Sequence, residues 1–197
     1  MPREKREIKK EDIIPLDAYI EKRRELRKNI VDFKKNRRIA LGPYATFYFE
    51  SYETMLAKVQ EMHYIEKGGD EQFKDELAAY NPLIPKGKEL VATLMFEIDN
   101  PISRADFLGK VGGIEEKVYI KIGDEKIYAI SEQDVDRTSA EGKASSVHFI
   151  HFNFLDNQLR KFKELNSEVI IGIDHELYNH AAIISENTKK SLIKDFI

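Results

Sequence analysis

Four groups of polar side chains in this sequence have types and spacings that could do chemistry. In GIDHELYNH, Asp174 and His175 adjoin, with Tyr178 and His180 close behind. A carboxylate beside an imidazole at a strand end can supply a general base and a metal ligand. Gly172 precedes the pair without a side chain, so a ligand or another backbone could approach there. The plainer reading is a turn, with Asp174 bonding its own backbone and His175 in solvent.

The second group is His148 and His151 in VHFIHFNF. Three apart on a strand, they point to opposite faces and cannot share one ion without a bulge. Either can meet Asp174 or His175 from a neighbouring strand; hydrogen-bonded, half-buried histidines are the simpler alternative. His63 and Glu66 form the third group, at i,i+3 on one helix. Such a pair can ligate zinc or iron, but a di-iron bundle needs the motif on two helices, and here it occurs on one. Glu50, closing a strand, is the fourth. A catalytic set drawn from these residues is His148, Asp174, His175, Tyr178 and Glu50, and a metal set is His148, Asp174 and His175. Asp174 would act as base or ligand, His175 as ligand or acid–base, and Tyr178 as a donor to substrate.

These residues need elements to hold them. Pro15 opens a helix to about Asn36, with Leu16, Tyr19, Ile20, Leu26, Ile30 and Phe33 near a 3.6-residue period and Lys22, Arg24, Lys28 and Lys35 opposite. The stretch Leu41–Glu66 turns at Gly42-Pro43, runs as a strand from Ala45 to Glu50, and enters a helix capped by Ser51. A short helix follows over Glu71–Ala79, and Asn81-Pro82 stops it. Leu90–Ile98 reads as a central strand, apolar on both faces. Ser103 and Asp106 suggest a capping box for a helix ended by Gly112-Gly113. Gly123-Asp124 joins a hairpin of Val118–Ile122 and Lys126–Ile130. Ser131–Ser145 reads as a mobile loop, Val147–Phe154 as the strongest strand, and Asp156–Leu165 as a helix. Strands at Val169–Ile173 and Ala181–Ile184 flank a loop over Asp174–Asn179, and Ser185 caps a last helix.

The fold class is therefore α+β: a single domain over residues 13–197 behind a flexible stretch 1–12. Its sheet is mainly antiparallel, open to a barrel-like curl, with helices on one face and at the ends.

At 197 residues and 22.9 kDa the chain can bury a sizeable core without staples. It has no cysteine, which excludes disulfides, thiol nucleophiles and thiolate metal sites on this chain. No run suits a membrane span and no apolar segment follows the basic N-terminus, so the expected compartment is the cytoplasm. Lysine outnumbers arginine 22 to 10, a composition that suits an AT-rich bacterial genome. Residues 1–38 carry 14 basic and 8 acidic side chains, a balance of +6, and the remainder carries 18 and 27, or −9. A basic front on an acidic body suits an acidic partner or the protein's own surface; without an aromatic platform or zinc-finger pattern, nucleic acid is disfavoured. P-loop, GxGxxG, HExxH and GxSxG motifs are absent. Gly109–Gly113 ends a helix rather than opening one, the wrong geometry for phosphate.

The segments ALGPYATFYFE, QEMHYIE, AAYNPLIP, ATLMFE, SSVHF and GIDHELY resemble a bacterial family of roughly 200-residue proteins classed as a domain of unknown function. The resemblance spans nearly the whole chain and brings no assigned catalytic residues. It implies genes encoded near rubrerythrin and iron–sulfur oxidoreductases, hence a role in redox or oxidative-stress metabolism. It also implies an apolar residue at position 63, where this chain has His63, whereas Asp174-His175 fits the pattern. The favoured reading is a non-catalytic accessory protein that binds a redox or iron–sulfur partner. The alternative is a small-ligand or metal-dependent enzyme with its site near His148 and Asp174–Tyr178.

Overall fold

Alternating apolar and polar positions sort the strands of this chain into two antiparallel sheets. They are seen in a computed structural model that describes residues 5–66, 70–132, 143–164 and 166–197. In sheet order, the first holds β1 (Arg38–Leu41), β2 (Ala45–Phe49), β3 (Glu89–Phe96), β7 (Val147–Asn153) and β6 (Ile130–Ser131). The second holds β5 (Glu125–Tyr128), β4 (Val118–Ile122), β8 (Val169–His175) and β9 (Tyr178–Ile183). Phe47, Phe49, Leu90, Leu94, Ile150 and Phe152 face Ile120, Ile122, Ile171 and Ile173 in one core between the sheets. Each is within a few per cent of full burial, so period-two alternation decides which side chains meet.

Among the described residues no barrel closes around this core. At one seam the chain itself changes sheets, pairing with β4 as β5 and with β7 as β6, with Ala129 at the corner. At the other seam, β1 and β9 are joined by the Tyr178 side chain and not by a ladder.

The helices follow as expected, on one face and at the ends. α1 (Leu16–Lys34) packs against α2 (Tyr52–Glu66), and α2 with α3 (Asp70–Tyr80) covers the outer face of the first sheet. There Met55, Val59 and Phe73 meet Val91, Leu83 and Ile84 in a second apolar cluster. Ser51 caps α2 by accepting from the Thr54 amide at 3.3 Å. α4 (Pro101–Lys110) closes one end of the sandwich, and α5 (Asp156–Lys163) with α6 (Glu186–Leu192) closes the other through Phe154, Phe162, Leu192 and Phe196.

Several boundaries differ from the sequence reading. α4 begins earlier, because Asn100 caps it with bonds from the Ile102 and Ser103 amides, and Ser103 lies inside the helix. The loop expected over Asp174–Asn179 shrinks to a two-residue turn, since His175 pairs with Tyr178. Most of the loop expected over Ser131–Ser145 lies outside the described residues. Residues 5–12, within the stretch expected to be flexible, are tied down: Ile8 is buried, and its backbone exchanges two hydrogen bonds with the Asn81 amide side chain.

Candidate functional site

The nominated residues divide among three surfaces that the sheets keep apart. His148 points into the core between the sheets and is fully buried. Its Nε2 lies 2.8 Å from the Ser145 carbonyl, its Nδ1 is 3.7 Å from Glu115 Oε2, and the Phe96 ring stands edge-on to it at 5.9 Å. Phe96 also meets Tyr178, again edge-on at 5.9 Å. His148 and Tyr178 therefore both pack against one buried phenyl ring.

Tyr178 is committed as well. Its hydroxyl donates to the Leu41 carbonyl at 2.6 Å and accepts from the Tyr44 and Ala45 amides at 3.0 and 2.9 Å. A phenolic oxygen has one proton and two lone pairs, so these three bonds fill it. His180 stacks edge-on against Tyr178 at 4.5 Å and underlies Gly42. Gly42 has φ +62°, and a Cβ there would come within 2.6 Å of the imidazole.

Asp174 and His175 lie elsewhere. Asp174 is on the outer face of the second sheet, exposed, and ion-paired with Lys126 at 2.9 Å. The space expected above Gly172 is filled: a Cβ there would fall 2.4 Å from the Tyr119 ring, and Lys126 Nζ sits 4.2 Å from that ring's centre. A ladder of Gly172, Tyr119, Lys126 and Asp174 thus occupies the ground proposed for a ligand. His175 accepts from the Leu177 amide at 3.2 Å, which makes it a turn residue. Among the described residues no three His, Asp or Glu side chains are placed to hold a metal ion. The set His148, Asp174, His175 is split between a sealed core and an outer face.

Glu50 faces the opposite side of the first sheet from His148. It is buried beneath α2, accepting from Thr54 Oγ1 at 2.6 Å and Thr93 Oγ1 at 2.7 Å. Its carbonyl accepts from buried Arg37, which also bonds the Phe49 carbonyl and pairs with Asp195. A cavity of about 40 Å³ adjoins this pair, room for roughly three waters. His63 packs edge-on against Phe73 at 6.0 Å, and Glu66 is exposed.

Two polar arrangements escaped the sequence reading. The first lies on α1. Ile20, placed on the inward stripe by periodicity, is 53% exposed, and Val31 is 59% exposed. With Arg24 and Arg27 they fall at i, i+4, i+7 and i+11, one outward stripe of the helix. Tyr19 is the only fully buried side chain of this 19-residue helix. Beside the stripe, Arg23 binds Glu61 through two nitrogens and stacks on Tyr64 at 4.6 Å, while the Tyr19 hydroxyl donates to Glu61 at 2.6 Å. Ile20, Arg23, Arg24, Arg27 and Tyr64 line an open cleft of about 400 Å³. Arg24 was readable on the outward face; that Ile20 joins it there was not.

The second is His151, whose ring lies between two carboxylates. Nδ1 is 3.0 Å from Glu89 Oε2 and Nε2 is 3.6 Å from Glu132 Oε1. Glu89 starts β3 one residue before the expected strand, and Glu132 follows β6, whose pairing with β7 no local pattern announces. Burial pulls the imidazole pKa down, but the bond and charge of Glu89, with Glu132, more than reverse this and raise it.

The sequence profile of a family described as "Protein of unknown function (DUF3501)" matches residues 7–196. A solved protein from Burkholderia pseudomallei, described as a novel protein of unknown function, is 33% identical to this chain. The similarity covers 96% of this chain and 99% of that one, with a TM-score of 0.89. No curated protein matches the chain.

Proposed function

We propose, for a chain that belongs to the DUF3501 family of proteins of unknown function, that it is an accessory protein that docks an acidic redox partner on the outer face of α1. The observation that carries this reading is the exposed stripe Ile20, Arg24, Arg27, Val31 with its neighbouring Arg23–Tyr64 stack. Arginine, tyrosine and branched aliphatic side chains on one face, set around a cleft, have the composition of an interface core with a charged margin.

The charge of the stripe selects the partner. A two-fold antiparallel pairing of α1 with a second copy would set Ile20 against Val31 but Arg24 against Arg27, so four guanidinium groups would crowd the centre. Like charges there oppose self-association. An acidic surface with an apolar centre satisfies both parts of the stripe, and its encounter would be steered by the field of the basic front. The redox character rests on the family resemblance noted in the sequence. With no cysteine on this chain, any cysteine-ligated iron–sulfur cluster would belong to the partner.

The test is affinity capture with cross-linking from the native organism, using the wild type and an Arg24→Glu/Arg27→Glu variant. The wild type is expected to retain a redox or iron–sulfur protein that the variant loses, and raised salt should weaken retention. Recovery of no redox protein, or equal recovery by both chains, overturns the reading.

A further inference from the structure

We infer that Glu89, His151 and Glu132 form a proton-operated clasp that fastens the sheet-changing strand to the first sheet. β6 is held to β7 by two registered pairs, Ile130 with His151 and Ser131 with Ile150, followed by the Glu132 amide donating to the Phe149 carbonyl at 3.2 Å. So short an attachment leaves the side chains around it a large share of the work. Glu132 reaches back over β7 to His151 Nε2, and Glu89 on β3 holds Nδ1. All three side chains are at least three-quarters buried. The charged neighbour that acts on this group through Glu89 is Lys86, whose amide donates to Glu89 Oε1 at 3.0 Å.

The chemistry of imidazole makes the clasp switchable. In the imidazolium both ring nitrogens carry hydrogen, and each faces a carboxylate. The neutral ring has one N–H. The shorter contact, to Glu89, keeps it, and the other nitrogen then turns a lone pair toward the Glu132 carboxylate. Deprotonation therefore releases Glu132 selectively, which is the link that belongs to β6. The folded form binds this proton more tightly than the unfolded chain, so the clasp is full below the ordinary histidine value of 6.5. It is lost as pH rises through the raised value of His151.

The test measures amide hydrogen exchange of the full-length protein, corrected for the intrinsic pH dependence, from pH 6 to pH 9. Protection of the Glu132 amide is expected to fall severalfold relative to that of Ile120 in β4 as the pH rises. His151→Gln, which keeps a hydrogen-bonding side chain without the charge, should flatten that response. NMR titration of His151 in the wild type provides a second readout: it should titrate above the ordinary value and move back toward it in Glu132→Gln. Unchanged Glu132 protection in the wild type, the same fall in His151→Gln, or an ordinary or lowered titration of His151 overturns the proposal.

Discussion

The Tyr178 hydroxyl donates to the Leu41 carbonyl at 2.6 Å, and that bond crosses from one sheet to the other. Leu41 ends β1 and Tyr178 begins β9, so the side chain spans a seam where no ladder forms. The same oxygen receives the Tyr44 and Ala45 amides of the Gly42-Pro43 turn. A residue nominated for substrate binding thus organises a turn and a seam, and its chemistry is used within the fold.

Tyr178→Phe should keep the fold and lose stability. The ring still packs against Phe96 and Phe107, but one buried carbonyl and two amides lose their partner. Leaving buried groups unmatched costs about 1–3 kcal/mol, to be read as a lower urea midpoint at unchanged slope.

Gly172→Ala should destabilise through the Tyr119 ring, not through the backbone. The added methyl needs space that the ring occupies, and overpacking of this kind costs about 1–3 kcal/mol. Displacing the ring also disturbs Lys126 and Asp174. Adding Tyr119→Ala should make Gly172→Ala nearly silent, a coupling that a double-mutant cycle of unfolding free energies measures directly.

Arg37→Met tests the buried junction of β2, α1 and the C-terminal segment. Arg37 is 2% exposed and holds the Phe49, Glu50 and Ser191 carbonyls as well as Asp195. Removing the cation strands a buried carboxylate, a loss of about 3–5 kcal/mol by thermal or urea unfolding. Asp195→Asn in the same background should recover part of it, because the stranded charge is then gone.

The strands were legible because period-two alternation survives in single-residue detail. Ala45, Phe47 and Phe49 face the core while Thr46, Tyr48 and Glu50 face away, and His148 and His151 point to opposite sides. The same alternation shows why Glu50 and His148 cannot meet, a consequence that follows only once both strands are known to lie in one sheet. The site assignments were not legible, because local sequence cannot show which neighbour fills a gap. Gly172 looked open, and Tyr119 from another strand covers it. The α1 stripe was hidden for a related reason: Ile20 has the period of a core residue, and its exposure depends on where α2 stops covering the helix. Glu132 pairs with His151 across a sheet change at Ala129 that no local pattern announces.

The Glu61 cluster gives a prediction with a defined pH sign. The bond from Arg23 holds the Glu61 carboxyl below its ordinary 4.5, against burial and with help from Tyr19. As pH falls, the unfolded chain takes up this proton before the folded one does. The stabilisation is therefore full above 4.5 and disappears as pH drops through the lowered value. Glu61→Gln should cost about 1 kcal/mol at neutral pH, with the gap from wild type closing in acid. Tyr19 offers an independent readout, since burial first, then the bond to Glu61, pushes its hydroxyl up to about 12. In Glu61→Gln the bond no longer ends on a charge, so the Tyr19 titration should move down toward 10 while burial keeps it above that value. An unfolding gap that persists undiminished in acid would show that Glu61 acts through packing and not through its charge.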